Sequence, residues 1–117
     1  MDEVLKQKII HALAVDKVFL APDLTLKKFA DFVQSNTSYV SQTINNGCGK
    51  NFNGLINEYR VEEVLRLFQE GQHQTFTIES IYQKAGFKSK SSFQKAFKAK
   101  TGVTATYYLN HISLSKI

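Results

Sequence analysis

Residues 77–108 read TIESIYQKAGFKSKSSFQKAFKAKTGVTATYY, and they gain meaning beside residues 24–68, LTLKKFADFVQSNTSYVSQTINNGCGKNFNGLINEYRVEEVLRLF. Leu26, Phe29 and Val33 lie 52 positions before Ile78, Ile81 and Ala85. Past the next turn the offset is 53: Val40 pairs with Phe93, Ile44 with Phe97, Gly49 with Gly102 and Asn51 with Thr104. One extra residue within 87–91 accounts for the change. Repetition at a fixed period marks a supersecondary unit used twice. Each copy reads as helix, tight turn, helix, glycine turn, helix start.

Local signals agree. Thr25 caps a helix over residues 26–33, whose Leu26, Phe29, Ala30 and Val33 recur at helical spacing. Asn36 caps a second helix over 37–46 with Val40, Thr43 and Ile44 inward. In the second copy the helix 78–85 ends at Gly86, which takes the left-handed conformation of a sharp turn, and Ser89 caps 90–101 with Phe93, Ala96 and Phe97 inward. A longer helix over 52–70 joins the copies and stops before Gly71. A first helix from Asp2 to residue 15 and a last one over 105–112 close the ends, and Pro22 falls in a loop. The expected fold is all-α, about seven helices in one domain over 1–117. Its parts are a first unit at 24–50, a linker helix at 51–71 and a second unit at 77–112.

The 117 residues, 43% hydrophobic and 21% charged, suit one globular domain with a modest core. Charge is segregated: from Ser80 onward stand seven lysines, Lys116 among them, and no carboxylate, whereas residues 1–79 hold eight basic and ten acidic side chains. A basic end of this kind suits a polyanionic partner. No run approaches a membrane span, and residues 1–10 lack the layout of a signal peptide, so a cytoplasmic location without membrane contact is expected. Cys48 is the only cysteine, and His11, His73 and His111 sit in no metal-ligand spacing. Neither metal nor cofactor is expected. Cys48, between two glycines, reads as a turn residue rather than a redox sensor. An enzyme is disfavoured: no nucleophile is paired with a base, and Glu58, Glu62 and Glu63 lie beside Arg60 and Arg66 on an amphipathic helix, as surface pairs do.

The outward faces of the two second helices differ from ordinary solvated faces. The first carries Ser38, Tyr39, Ser41, Gln42, Asn45 and Asn46, although Lys and Glu are better helix formers. Amides and hydroxyls suit base edges, Gln or Asn reaching adenine in the major groove. The second carries Lys90, Ser91, Gln94, Lys95, Lys98 and Lys100. Here Gln94 and Lys95 are placed for bases, while Lys98, Lys100 and Lys88 suit phosphates. A short helix supporting a second one with such a face is the helix-turn-helix arrangement.

At residues 24–108 the sequence resembles the DNA-binding domain of AraC/XylS-type bacterial transcription regulators, most specifically in NEYRVEEV at 57–64 and AGFKSKSSFQKAFKAKTG at 85–102. The resemblance implies two helix-turn-helix subdomains on a long linker helix, reading successive major grooves of double-stranded DNA. The nineteen linker residues would span about 28 Å, near the ~34 Å of one DNA turn. The family's base-contacting sites then fall on Ser38, Ser41 and Gln42 and on Ser92, Gln94 and Lys95, and the outward faces add Asn45 and Ser91 as base contacts. Phosphate contacts fall on Asn36, Thr37, Lys88, Ser89, Lys90, Lys98 and Lys100. RNA polymerase and an effector or sensor domain in a longer parent chain are the further partners implied.

Some positions depart from that pattern. Gln42 and Lys95 stand where arginine is common, and the only arginines, Arg60 and Arg66, lie on the linker, so a preference for A·T-containing sites is expected. Gln34 replaces a turn glycine, Tyr82 a small residue, and Thr104-Ala105 a Thr-Pro pair. The competing reading is a basic helical protein-interaction module with an acidic partner.

Overall fold

The computed structural model describes residues 3–115, with side chains through residue 112; Asp2 and Lys116 lie outside the described residues. Seven α-helices and two short 3₁₀ turns make up the described chain, with no strand among the described residues. It divides into two compact units, Met1–Tyr59 and Arg60–Ile117.

The first unit contains α1 (Glu3–Ala14), a 3₁₀ turn (Val18–Leu20), α2 (Leu26–Phe32), α3 (Thr37–Cys48) and the beginning of α4 (Phe52–Gln69). Leu5, Ile9 and Leu13 of α1 pack with Phe29, Ala30, Val40, Ile44, Phe52 and Ile56 in one buried cluster. The second unit takes the rest of α4, a 3₁₀ turn (Gln72–Gln74), α5 (Ile78–Lys84), α6 (Lys90–Thr101) and α7 (Ala105–Ser115). Its cluster is Val61, Val64, Phe68, Ile81, Tyr82, Phe87, Phe93, Phe97 and Ala105. The repeat extends further back than the sequence suggested: an offset of 52 also sets Ile9 against Val61 and Ala12 against Val64, all buried. α1 therefore serves the first unit as the second half of α4 serves the other.

The duplication holds down to individual hydrogen bonds. Thr25 Oγ1 accepts from the Lys28 amide at 3.1 Å, and Thr77 Oγ1 from the Ser80 amide at 3.0 Å. At the next helix Asn36 Oδ1 accepts from the Tyr39 amide at 2.9 Å, and Ser89 Oγ from the Ser92 amide at 3.1 Å. Asn51 and Thr104 repeat the device at the starts of α4 and α7. Each such cap is worth about 1 kcal/mol, because it satisfies an amide that no preceding carbonyl can reach. Between the two helices of each unit the amides of Ser35 and Phe87 bond the carbonyls of Ala30 and Tyr82, and those of Gln34 and Gly86 bond Asp31 and Gln83. This double closure needs a left-handed residue. Gly86 supplies it at φ 107°, and Gln34 adopts the same region at φ 62°, so the missing glycine did not change the turn.

α3 continues through Cys48, two residues beyond its expected end. Asn45-Asn46-Gly47 looks like a stop, but the glycine that turns left-handed is Gly49, at φ 66°, as Gly102 is after α6. Cys48 is thus the exposed last residue of a helix rather than a turn residue. Val33 and Ala85 cap α2 and α5 instead of ending them, and α7 runs past residue 112.

Candidate nucleic-acid interface

α3 and α6 are the second helices of the two units, and each buries one stripe: Val40, Thr43 and Ile44 on α3, Phe93 and Phe97 on α6. Opposite lie Ser38, Ser41, Gln42 and Asn45 on α3 and Ser91, Gln94, Lys95 and Lys98 on α6, each set spaced i, i+3, i+4, i+7. That spacing puts four side chains in one row on a helix. The two rows coincide at an offset of 53, and all eight residues are exposed except Ser41, which is half-buried. Lys98, placed above among phosphate contacts, therefore occupies the row position of Asn45. Its membership was legible in the offset.

Ser92 stands a quarter turn away, and its hydroxyl accepts from that of Ser89 at 2.9 Å, leaving its own proton to donate. Asn36 is exposed, and its side-chain oxygen caps α3. Thr37 is half-buried, and Lys88, Ser89 and Lys90 are exposed where the chain enters α6. Lys100 Nζ lies 3.6 Å from Glu62 of α4, which ties it to the scaffold. Sequence reasoning assigned no role to Tyr39, 61% exposed on the first turn of α3.

Both arginines belong to α4. Arg66 bridges Glu63 and Glu70 at 2.6 Å each, and the Glu63 hydrogen bonds first, then its charge and that of Glu70, hold the guanidinium firmly protonated. The Arg60 guanidinium lies 6.0 Å from the Phe87 ring centre, its pKa lowered by burial. Neither stands on α3 or α6. Of the histidines, His11 lies 3.1 Å from Asp16 and His111 stacks on Tyr107 at 3.9 Å, while His73 meets Phe68 edge-on with its buried Nδ1 making no hydrogen bond to the described residues.

Net charge follows the units. Residues 1–59 hold six basic and six acidic side chains; residues 60–117 hold nine and four, so the formal charge of +5 belongs to the second unit. Among the described residues no helix is long and apolar enough to cross a membrane.

Two capped helix pairs, each presenting a polar second helix on a packed support, define a DNA-binding helix-turn-helix protein. Residues 29–111 match the sequence model of a helix-turn-helix domain. The chain belongs to the AraC-type helix-turn-helix family of DNA-binding domains found in transcription regulators. It is 31% identical over 114 residues to an uncharacterized HTH-type transcriptional regulator, YobQ, of Bacillus subtilis (strain 168), covering 97% of this chain and 46% of that protein. The chain thus spans about half the length of that relative. In fold it is similar to the C-terminal domain of AraT, a response regulator from Geobacillus stearothermophilus, with a TM-score of 0.76 and 24% identity over 94% of this chain and 86% of that one. A protein of unknown function from Listeria innocua is similar at a TM-score of 0.75 and 23% identity, over 90% of this chain and 94% of its own.

Proposed function

We propose that the chain binds double-stranded DNA sequence-specifically by laying α3 and α6 in successive major grooves, as one step of transcription regulation. The matched rows on α3 and α6 carry this reading. Ser38, Ser41, Gln42 and Asn45 face bases in the first half-site; Ser91, Ser92, Gln94 and Lys95 do so in the second. Asn36, Thr37, Lys88, Ser89, Lys90, Lys98 and Lys100 serve the phosphates, Lys100 from a position beside Glu62. Units at 24–50 and 77–112 joined by the helix at 51–71 form the reader. α4 has eighteen residues, about 27 Å of rise.

The charge division gives the units different tasks. Affinity for DNA at moderate salt comes mostly from cations that displace counterions, and the excess of cations over carboxylates sits on the second unit. The amides and hydroxyls of α3 discriminate among bases instead. With no arginine on either row, bidentate recognition of guanine is weakened and A·T-containing sites are preferred. RNA polymerase, a sensing domain in a longer chain and a cytoplasmic setting complete the proposal.

Selection of bound sequences from random duplexes, followed by salt titration of the winner, tests it. The expected result is a two-part, A·T-containing motif with half-sites about one turn apart and a salt slope reflecting about five or more phosphates. A G-rich motif under α3 would overturn the base preference. Failure to bind any duplex at low salt would overturn DNA reading and favour an interaction module for an acidic protein.

A further inference from the structure

Beside α6 the second unit opens a groove of about 740 Å³, walled by α5, α6 and the start of α7. Lys90, Gln94, Lys95 and Lys98 form one rim, and Thr104 and Thr106 stand on the other. Tyr82 and Phe93 lie in the floor, their rings stacked at 4.7 Å with an interplanar angle of 21°. The first unit has Ala30 at the position of Tyr82, fully packed at 1% exposure. The helix pair therefore closes without an aromatic there.

Stacking on Phe93 explains a ring at position 82 but not its hydroxyl, since phenylalanine would stack equally well. A phenol enclosed without a partner would cost about 1–3 kcal/mol. Tyr82 is 6% exposed, makes no hydrogen bond to the described residues, and its oxygen is not among the enclosed unpartnered atoms. The hydroxyl therefore keeps a share of that small exposure, and Tyr82 is one of the residues that line the groove. Three lysines, Lys90, Lys95 and Lys98, against one carboxylate, Glu79, leave the lining with a net positive charge that suits an anion needing a hydrogen-bond donor at the bottom.

We infer that Tyr82 is a DNA contact: its hydroxyl donates to a backbone phosphate of the strand lying along this groove while α6 faces the bases. The inference rests on the DNA-reading function proposed above. Tyrosine is a regular phosphate donor. It is also neutral, so its contact displaces no counterion and leaves a signature that lysine cannot.

The test compares the wild type with Tyr82→Phe on the duplex selected by the wild type, at several salt concentrations, with urea unfolding of both proteins. The expected result is a five- to tenfold loss of affinity at every salt concentration, an unchanged salt slope and an unchanged unfolding midpoint. Affinity within twofold of the wild type overturns the inference. So does a loss accompanied by a lower midpoint, which marks a packing role, or by a shallower slope, which marks a displaced lysine. If the wild type itself selects no duplex, the DNA-reading function falls, and the Tyr82 contact falls with it.

Discussion

The two units share almost every cap and turn and almost none of their bulk. In the first, the large residues stand on α2 and at the start of α4, where Phe29 and Phe52 meet at 5.5 Å. The matching positions in the second are Ile81 and Ala105, and there the bulk has moved to Tyr82, Phe93 and Phe97. Volume is redistributed rather than lost, as a core tolerates when total packing is kept. Charge has diverged in the same way: neutral in one unit, +5 in the other. The capping residues and left-handed turns are the common element, so the fold depends on backbone satisfaction at fixed points, while interior and surface were free to specialise.

The strongest way to break this comparison is to remove the relocated bulk. Phe97→Ala should destabilise by about 4 kcal/mol, against about 3 kcal/mol for Ile44→Ala at the matching place in the first unit. Urea unfolding decides, and a Phe97 loss under about 2 kcal/mol would mean that the second core does not lean on its aromatics. On the surface, Gln42→Ala should cost about 2 kcal/mol on the selected duplex and relax preference at one base position, with the salt slope unchanged. Lys90→Ala should cost about 1 kcal/mol for all sequences alike and reduce the slope by about 1. If both variants lose affinity uniformly, the division between reading and holding fails. Gln34→Gly sharpens the comparison at its finest point. Replacing the left-handed glutamine should stabilise by about 0.5 kcal/mol, the relief of backbone strain being partly offset by the greater freedom of glycine when unfolded and by loss of the 3.4 Å bond from Lys8. A destabilised Gln34→Gly would show that the side chain matters more than the turn.

Much of this was legible in the sequence because it is local. The 3.6-residue period, the capping side chains and the paired glycines each act within a few residues, and the change of offset from 52 to 53 appears as five connecting residues between α5 and α6 against four between α2 and α3. The end of α3 was misjudged because Asn45, Asn46 and Gly47 each disfavour helix, and their tertiary setting outweighed that. The pairing of Lys100 with Glu62 was illegible for another reason: it joins residues 38 apart, and only packing brings them together. The rows on α3 and α6 were nearly visible, since the same offset that aligned the cores also aligns Asn45 with Lys98.

α4 begins as the closing helix of one unit and ends as the opening helix of the next, with the boundary at Tyr59–Arg60 inside its eighteen residues. Domains usually part at exposed loops, where proteases enter and where fragments are cut for expression. Here a cut at the boundary would split a helix, leaving Phe52 and Ile56 with the first fragment and Val61, Val64 and Phe68 with the second. The seam between the two copies is therefore continuous helical backbone rather than a loop, and separating them costs both fragments the hydrogen bonds that cross it.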